Sequence, residues 1–368
     1  MQDKKQKIIT ILGARPQFIK AAAVSAVFKN SVNEILVHTG QHYDSNMSEV
    51  FFEELDIPKP KYHLNVGSGS HGAMTGAMLT AIEAILVEEK PDFVLVYGDT
   101  NSTLAGALAA SKLLIPVIHV EAGLRSFNKV MPEEQNRILT DHVSELLFVP
   151  TQTAVDNLKN EGITKGVHLV GDVMYDGILH FAKIAQEKST ILRDLNLEEK
   201  QFMLCTIHRA ENTNDIQRLK AIFAGLNDSG QKIVLPLHPR TLKYVKEYGI
   251  EVSENISIIE PIGYLDMVRL EASAKKILTD SGGVQKEAFF LGIPCITLRD
   301  ETEWVETIEN GWNRLVGADS AKIQEAVLNF NPTENRIDYF GNGTSVEQMV
   351  QVIKSFQKKT IEIIRVTS

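Results

Sequence analysis

The sequence has few of the residues that mark disulfide-rich, metal-binding or membrane-spanning proteins. Its 368 residues include only two cysteines, Cys205 and Cys295, and both lie in apolar, strand-like segments. Such positions favour buried free thiols over a disulfide or a metal pair, so we expect no metal site. No apolar run approaches the roughly 20 residues of a membrane span, so we expect no membrane insertion.

Positive charge is also in deficit. Lys and Arg number 38 against 47 Asp and Glu, a net charge of −9, which argues against a general nucleic-acid or membrane-surface binder. A small anionic ligand is still compatible with this net charge, because a local cluster of Arg, Lys and His can outweigh the negative electrostatic potential of the whole protein. Residues 1–5 carry no apolar stretch like that of a signal peptide, so we expect a cytoplasmic protein.

The common glycine motifs of nucleotide-binding proteins are absent as well. Neither G-x-G-x-x-G nor G-x-x-x-x-G-K-[ST] follows the first strand of either half, which argues against a standard dinucleotide site or P-loop. The remaining composition, 43% hydrophobic and 23% charged residues, is ordinary for a globular protein. The length suggests two domains, each with an ample core.

Apolar runs alternate with helical patterns in both halves of the chain. We predict strands at residues 7–12, 34–39, 93–97, 116–120, 146–149 and 167–170, and then at 202–207, 232–237, 256–259, 276–279 and 294–298. We predict helices near 16–28, 47–55, 76–89 and 284–291, and a final helix at 344–356. This order is typical of α/β proteins with parallel sheets. The polar segment 186–200 is the predicted exposed connection between the domains.

Three carboxylates fall where such a sheet would place a ligand. Asp99 follows the strand at 93–97, Glu121 follows the next strand, and Glu133 lies in the first turn of a helix that Pro132 opens. Ligands of open parallel sheets bind outside the carboxyl ends of the strands. Each acid alone would favour a solvated surface residue, but the three positions together favour a catalytic site.

Cations lie at comparable positions. Arg15 lies in the turn after the first strand, and Lys20 follows in the helix whose free amides favour an anion. In the second half, cationic residues follow three predicted strands: His208, Arg209, His238, Arg240 and Arg299. A single histidine at a strand end is usually only a hydrogen-bonded residue, whereas five such residues at one edge favour an anion site.

The residues Ser281, Gly282 and Gly283 give the sharpest phosphate signal. They directly precede the predicted helix at 284–291, and glycine there permits close backbone approach to a phosphate. A tight strand-to-helix turn needs glycine in any case, so this signal is weak alone. Glu287, one turn into the helix, is a candidate acceptor for ribose hydroxyls.

Taken together, the motifs resemble the non-hydrolysing UDP-N-acetylglucosamine 2-epimerase family. The resemblance covers roughly residues 8–352 and rests on GARP at 13–16, GDT at 98–100, HVEAGLR at 119–125, PEEQNR at 132–137, HRAEN at 208–212 and TDSGG at 279–283. It implies an α/β fold of two Rossmann-like domains facing a cleft, a GT-B-type arrangement. The N-terminal domain would be 1–172 and the UDP-binding domain 173–343, with the helix at 344–356 packing back on the first. The resemblance also implies a homodimer.

The reaction implied by the resemblance is inversion of C2 in a UDP-2-acetamido sugar, for surface polysaccharide precursors, through elimination of UDP to a glycal and its re-addition. No cofactor is implied. By motif position, the catalytic residues would be Asp99, Glu121, Glu133 and His208. The substrate-binding residues would be Arg15, Lys20, Arg137, His238, Ser281, Gly282, Gly283, Glu287 and Arg299. Which carboxylate removes the C2 proton stays open, as does the role of residues 358–368.

Three departures from the family pattern concern the sugar. Gln17 stands where Glu is usual, Trp304 where Arg is common, and residues 64–70 lack the Gly–Gln element tied to allosteric activation by UDP-N-acetylglucosamine. In these places the chain resembles the branch that acts on UDP-2,3-diacetamido-2,3-dideoxy-glucuronic acid, and Gln17 would make the pocket less acidic. The alternatives left open are a GT-B glycosyltransferase using a UDP-sugar donor, a hydrolysing relative and a non-catalytic nucleotide-sugar sensor.

Overall fold

A computed structural model describes residues 5–40, 55–67 and 69–356 of the chain. The helix predicted near 47–55 lies, up to residue 54, outside the described residues. The described part divides into two compact units. The first unit contains Ile57–Val173, the described residues before 41 and those from Thr344 onward, and the second contains Met174–Gly343.

The strands are β1 (Lys7–Leu12), β2 (Asn33–His38), β3 (Tyr62–His63), β4 (Phe93–Tyr97), β5 (Val117–Val120), β6 (Leu146–Val149), β7 (Val167–Leu169), β8 (Met203–Thr206), β9 (Ile233–Pro236), β10 (Ile256–Ile259), β11 (Ile277–Thr279), β12 (Cys295–Thr297) and β13 (Asn313–Leu315). The helices are α1 (Arg15–Ser31), α2 (His71–Glu89), α3 (Asn101–Lys112), α4 (Pro132–Val143), α5 (Gln152–Asn160), α6 (Val173–Lys188), α7 (Ile191–Asp194), α8 (Ala210–Thr213), α9 (Ile216–Asp228), α10 (Pro239–Glu247), α11 (Tyr264–Ser273), α12 (Gly282–Leu291), α13 (Val305–Glu309), α14 (Ser320–Asn329) and α15 (Ser345–Ser355).

The first unit is built on a parallel sheet in the order β3-β2-β1-β4-β5-β6-β7. All five residues of β4 are buried, as a central strand covered on both faces requires. The helix α3 lies close to this strand because it is rich in alanine, and a methyl group added at Gly106 would be 3.1 Å from Ile11 and Val96. This close packing positions the turn between β4 and α3.

The second unit repeats the design with a parallel sheet in the order β10-β9-β8-β11-β12-β13. Its core packs α9 and α14 against the sheet, and Gly225 lets them approach, since a methyl group there would be 2.8 Å from Ile323 Cβ. The segment 186–200 lies within this unit. The prediction that it connects the domains was wrong, because Leu197 is buried in the core with Phe202.

The eleven predicted strands are found within about one residue of their predicted bounds, whereas β3 and β13 were not predicted, and the predicted α/β fold class is confirmed. Cys205 and Cys295 are buried free thiols, as predicted, and burial raises the pKa of Cys295 to about 12. The helix α15 lies against α1 in the first unit, and Gln6 Nε2 donates to Ile353 O at 3.3 Å. Within the described part of the chain, no helix has both the length and the apolar character to span a bilayer.

Candidate active site

Asp99 lies at the carboxyl end of β4 and is held from the helix α4. Gly98, with φ +62°, turns the chain sharply after the strand. Arg137 Nη2 donates to Asp99 Oδ2, while Arg137 Nη1 donates to Glu134 Oε2 at 2.8 Å. Asn136 Nδ2 donates to the Asp99 carbonyl at 2.9 Å. Two residues of one helix therefore fix both the backbone and the carboxylate of Asp99.

Glu121 lies at the end of the neighbouring strand β5 and pairs with Lys20 of α1. Its φ of +69° is a conformation that L residues rarely adopt, and strain of this kind clusters at functional sites. Lys20 Nζ donates to Glu121 Oε2, and both side chains are only about a tenth exposed. A methyl group at Gly98 would be 3.5 Å from Glu121 Oε2, so this ion pair lies against the turn that carries Asp99.

Glu133 and Glu134 are adjacent in the first turn of α4 but have different surroundings. Glu134 is buried and accepts hydrogen bonds from the backbone N–H groups of Ser126 and Phe127 and from the Ser126 hydroxyl. Burial alone would raise the pKa of Glu134, but these bonds and Arg137 lower it. Glu133 is partly exposed and forms no hydrogen bond or ion pair with any described residue, so its carboxylate is available to a ligand.

A buried cluster behind these acids was not assigned a role from the sequence. His119 Nδ1 donates to Asp141 Oδ1 at 2.7 Å, and His119 Nε2 donates to the Gly98 carbonyl at 2.8 Å. Both ring nitrogens therefore face oxygen acceptors. Arg125 Nη1 donates to Asp141 Oδ2 at 2.7 Å. The sequence did contain a signal for this cluster, a histidine within the apolar strand β5. A buried imidazole needs hydrogen-bond partners, so such a position predicts a buried polar cluster.

Gln17 has a structural role that differs from its interpretation in the sequence. Its Oε1 accepts from the N–H groups of Gly13 and Ala14 at 2.8 and 3.0 Å, and its Nε2 donates to the Tyr97 carbonyl at 2.9 Å and to two threonine hydroxyls. The side chain is buried and ties the end of β1 to the end of β4. The structure therefore does not support Gln17 as a residue that lowers the charge of the pocket. Arg15 begins α1, two residues before it.

In the second unit, Asp280 organises the turn that carries His208. Asp280 follows β11, is fully buried, and accepts hydrogen bonds from the backbone N–H groups of His208 and Arg209 at 3.1 Å and from Asn212 Nδ2 at 3.1 Å. His208 Nδ1 also lies 3.2 Å from Asp280 Oδ1, and its side chain is more than half exposed. His208 is thus a solvent-facing imidazole held by a buried carboxylate. Asp280 was missed although it stands in the quoted TDSGG motif.

The helix α12 begins at Gly282, and Ser281 is its N-cap, accepting from the Val284 N–H at 3.4 Å. A methyl group at Gly283 would meet only one side-chain oxygen, at 3.7 Å, so the space over this residue is open. Free N–H groups at the start of a ten-residue helix favour an anion. Arg299, at the end of the neighbouring strand β12, is buried and donates to Glu303 Oε2 at 2.9 Å.

The remaining predicted residues lie farther along the same unit. His238 caps α10, with Nδ1 accepting from the Arg240 N–H at 3.2 Å, and Arg240 Nη2 donates to Asn214 at 3.0 Å. Glu287 is buried within α12 and accepts from the Tyr264 hydroxyl at 3.0 Å. The strand order places the ends of β9, β8, β11 and β12 side by side, so His238, His208, Ser281 and Arg299 follow four adjacent strands.

Comparisons with known proteins give one consistent family. A family model described as UDP-N-acetylglucosamine 2-epimerase matches residues 26–354. A Methanococcus maripaludis protein named UDP-N-acetylglucosamine 2-epimerase homolog is 56% identical over 95% of this chain and 99% of its own length. The UDP-2,3-diacetamido-2,3-dideoxy-D-glucuronate 2-epimerase of Pseudomonas aeruginosa is 54% identical over 87% of this chain and 91% of its own. The crystal structure of Methanocaldococcus jannaschii UDP-GlcNAc 2-epimerase in complex with UDP-GlcNAc and UDP matches with a TM-score of 0.82 and 48% identity, over 95% of this chain and 99% of that one.

Proposed function

Because the chain belongs to the UDP-N-acetylglucosamine 2-epimerase family, we propose that it inverts C2 of the sugar in a UDP-2-acetamido sugar. The resemblance drawn from the motifs is confirmed, and the chain is an isomerase. The glycosyltransferase alternative is not retained, because the similar proteins are named as epimerases. The observation that carries the proposal is the pairing of Asp99 with Arg137 and of Glu121 with Lys20 at neighbouring strand ends.

The proposed reaction is an elimination followed by re-addition, without net consumption of water. The C2 proton of the sugar is not beside a carbonyl, so its removal requires a leaving group at C1. UDP leaves with the electron pair of the C1–O bond while a base takes the C2 proton, and a C1=C2 glycal remains. Protonation of C2 from the opposite face and return of UDP to C1 give the epimer.

We assign the two proton transfers to the carboxylates of the first unit. Protons must be handled on two faces of the ring, which calls for at least two acid–base groups. Asp99 is oriented by Arg137, Glu121 lies beside Lys20, and Glu133 is partly exposed. These three residues share the acid and base roles, and Arg15 and Lys20 would contact the sugar or the diphosphate.

We assign the diphosphate to the second unit. Developing negative charge on departing UDP is stabilised by donors fixed in advance, and the N-terminus of α12, His208 and Arg299 are among the described donors of this kind. Ser281, Gly282 and Gly283 would hold the phosphates, His238 would contact the substrate, and Glu287 would accept the ribose hydroxyls.

As a finer proposal, the preferred sugar is the UDP-2,3-diacetamido-glucuronate. The identity to the Pseudomonas aeruginosa epimerase is 54%, below the 56% to the Methanococcus maripaludis homolog but above the 48% to the Methanocaldococcus jannaschii UDP-N-acetylglucosamine 2-epimerase. The support for the uronate is this identity together with the absence of the Gly–Gln element from residues 64–70. Comparing kcat/KM for the two UDP-sugars tests this. We expect the uronate to be favoured about 10-fold or more, roughly 1.4 kcal/mol. Equal or faster turnover of UDP-N-acetylglucosamine would contradict the preference and leave the general reaction intact.

The reaction itself is tested by incubating the protein with each UDP-2-acetamido sugar in deuterated water and following C2 by NMR. An epimerase introduces deuterium at C2 and keeps the UDP linkage. Release of free sugar and UDP would indicate a hydrolysing enzyme, and no exchange would indicate a transferase or a sensor. Either of these results would overturn the proposal.

We also propose that the protein acts as a cytoplasmic homodimer, as the family resemblance implies. Light scattering coupled to size-exclusion chromatography would test the oligomeric state, and a monomer at working concentrations would contradict it. The division of roles, with the carboxylates on residues 1–172 and UDP on 173–343, stays a prediction.

A further inference from the structure

A carboxylate of the chain itself lies at the proposed diphosphate position. A methyl group added at Gly282 would meet Glu303 Oε1 at 2.4 Å and Trp304 Nε1 at 3.3 Å, so both atoms lie over the first residue of α12. Glu303 Oε2 accepts a hydrogen bond from Arg299 Nη1 at 2.9 Å, and Glu303 Oε1 is 4.0 Å from Arg209 Nη2. Arg299 and the start of α12 are two of the donors that the proposed function gives to the diphosphate.

The cluster has more donors than this carboxylate satisfies. Arg299 Nε and Trp304 Nε1 are buried, and neither has a hydrogen-bond acceptor among the described residues. Both residues are more than nine-tenths buried, at 7% and 8% exposure. Buried hydrogen-bond donors are normally paired with an acceptor, so two buried donors without an acceptor in one place indicate that a ligand supplies the acceptors. A diphosphate presents more acceptor oxygens and more charge than one carboxylate, and would pair with all of these donors.

We propose that Glu303 is an intramolecular competitor for the diphosphate, which replaces its carboxylate on Arg299 and α12 and accepts the indole N–H of Trp304. The inference rests on the proposed function, because it concerns the same site. The Glu303 side chain is 42% exposed and can leave toward water. Trp304 is held in place, with Lys286 Nζ 4.2 Å from its ring centroid and the Phe340 ring 6.3 Å away. It therefore remains as a fixed donor when Glu303 moves.

Glu303 competes as an anion. Burial by itself would raise the pKa of its carboxyl group, but its own backbone N–H and the charges of Arg299 and Arg209 lower the pKa below the ordinary value. The carboxylate is therefore ionised at neutral pH and neutralises the cations that the diphosphate would use. Removing its charge should free them.

The test is calorimetric titration of the full chain with UDP, comparing wild type with Glu303→Gln. The amide keeps the size of the side chain and removes its charge, so we expect UDP to bind about 10-fold tighter, roughly 1.4 kcal/mol. The matched control is Glu301→Gln, which removes the same charge from an exposed residue of the same loop and should change affinity less than about twofold. Unchanged or weaker UDP binding by Glu303→Gln would overturn the inference and make Glu303 a positioning residue for Arg299.

The tryptophan contact has its own readout. Trp304→Phe keeps the ring beside Lys286 and removes the N–H, so UDP should bind roughly 5- to 10-fold more weakly. Trp312→Phe is the control, because Trp312 Nε1 donates to the Glu334 carbonyl instead, at 3.1 Å. This control variant also leaves Trp304 as the only tryptophan of the chain. The fluorescence emission of Trp304 should therefore change when UDP is added. Unchanged affinity in Trp304→Phe, or constant emission on saturation with UDP, would remove Trp304 from the site.

These measurements distinguish failure of the proposed function from failure of the competition alone. If wild type binds no UDP, the proposed function fails and the competition fails with it. If wild type binds UDP and exchanges deuterium at C2 but Glu303→Gln binds no tighter, only the competition is refuted.

Discussion

The buried cluster around Asp141 offers a quantitative test of the first unit, through the substitution Asp141→Asn. The two carboxylate oxygens of Asp141 each lie 2.7 Å from a side-chain nitrogen, His119 Nδ1 and Arg125 Nη1. The side chains of all three residues are at most 1% exposed. Asparagine keeps the shape of the side chain but removes its charge and replaces one acceptor with a donor. One of the two nitrogen donors must then lose its acceptor in an environment without water.

The expected cost follows from the burial of the charges. Breaking a buried charge pair by removing one member costs about 3–5 kcal/mol. Arg125 keeps Glu161, whose oxygens it contacts at 2.7 Å through Nε and Nη2, so we expect the lower end, about 3 kcal/mol. His119 also holds the Gly98 carbonyl, so the Asp99 turn should loosen and turnover should fall as well.

Urea unfolding at pH 7, followed by circular dichroism, measures this cost. Burial would raise the pKa of Asp141, but His119 and Arg125 lower it below the ordinary 3.8. Its contribution to stability is therefore complete above pH 3.8 and is lost only as the pH falls through the lower folded value. Glu161→Gln is the matched control, because it removes a carboxylate from the same Arg125 at a side chain 28% exposed and should cost at most about 1 kcal/mol. If Asp141→Asn costs no more than Glu161→Gln, the reasoning is refuted.

Three further predictions concern the acids, the phosphate turn and a buried histidine. Asp99→Asn, Glu121→Gln and Glu133→Gln should each lower the rate of C2 exchange about 10²-fold or more, a typical acid–base contribution; near-wild-type rates in all three would contradict the assignment. Gly283→Val should weaken UDP binding in calorimetry while sparing folding, since the space over Gly283 is open, and unchanged affinity would place the diphosphate elsewhere. Burial lowers the pKa of His38 to about 4, so stability should fall by at most about 3 kcal/mol as the pH drops from 6.5 to 4, because the unfolded chain binds the proton first. His38→Asn should lose that part of the pH dependence in urea titrations, and an unchanged slope would speak against it.

The strand ends could be predicted from the sequence because their signals are local. The buried strand β4 is a continuous apolar run that stops at Gly98, and β5 stops in the same way before Glu121. Parallel strands bring such ends to one edge of the sheet, so neighbouring positions for Asp99 and Glu121 follow from periodicity and the fold class. The same reasoning placed His208 and Arg299 at one edge of the second sheet.

The partners of these residues could not be predicted, because they depend on contacts between segments distant in the chain. Lys20 and Glu121 are 101 residues apart, and Asp99 and Arg137 are 38 apart. Nothing in their local spacing distinguishes a lysine that pairs with a carboxylate from a solvated one. Glu303 is a sharper case, since its sequence reads as part of an acidic surface loop, whereas its carboxylate lies over Gly282.

Gln17 shows why a substitution relative to a family pattern does not define a pocket. In sequence, an amide in place of a carboxylate beside Arg15 suggests a site with less negative charge. In the structure, Gln17 Nε2 donates to the Tyr97 carbonyl and Oε1 accepts from two backbone N–H groups. A carboxylate would accept those two bonds equally well but would face the Tyr97 carbonyl with a second acceptor. The amide therefore matches a buried hydrogen-bond network between the ends of β1 and β4. At 2% exposure, Gln17 gives no support to a preference for the uronate.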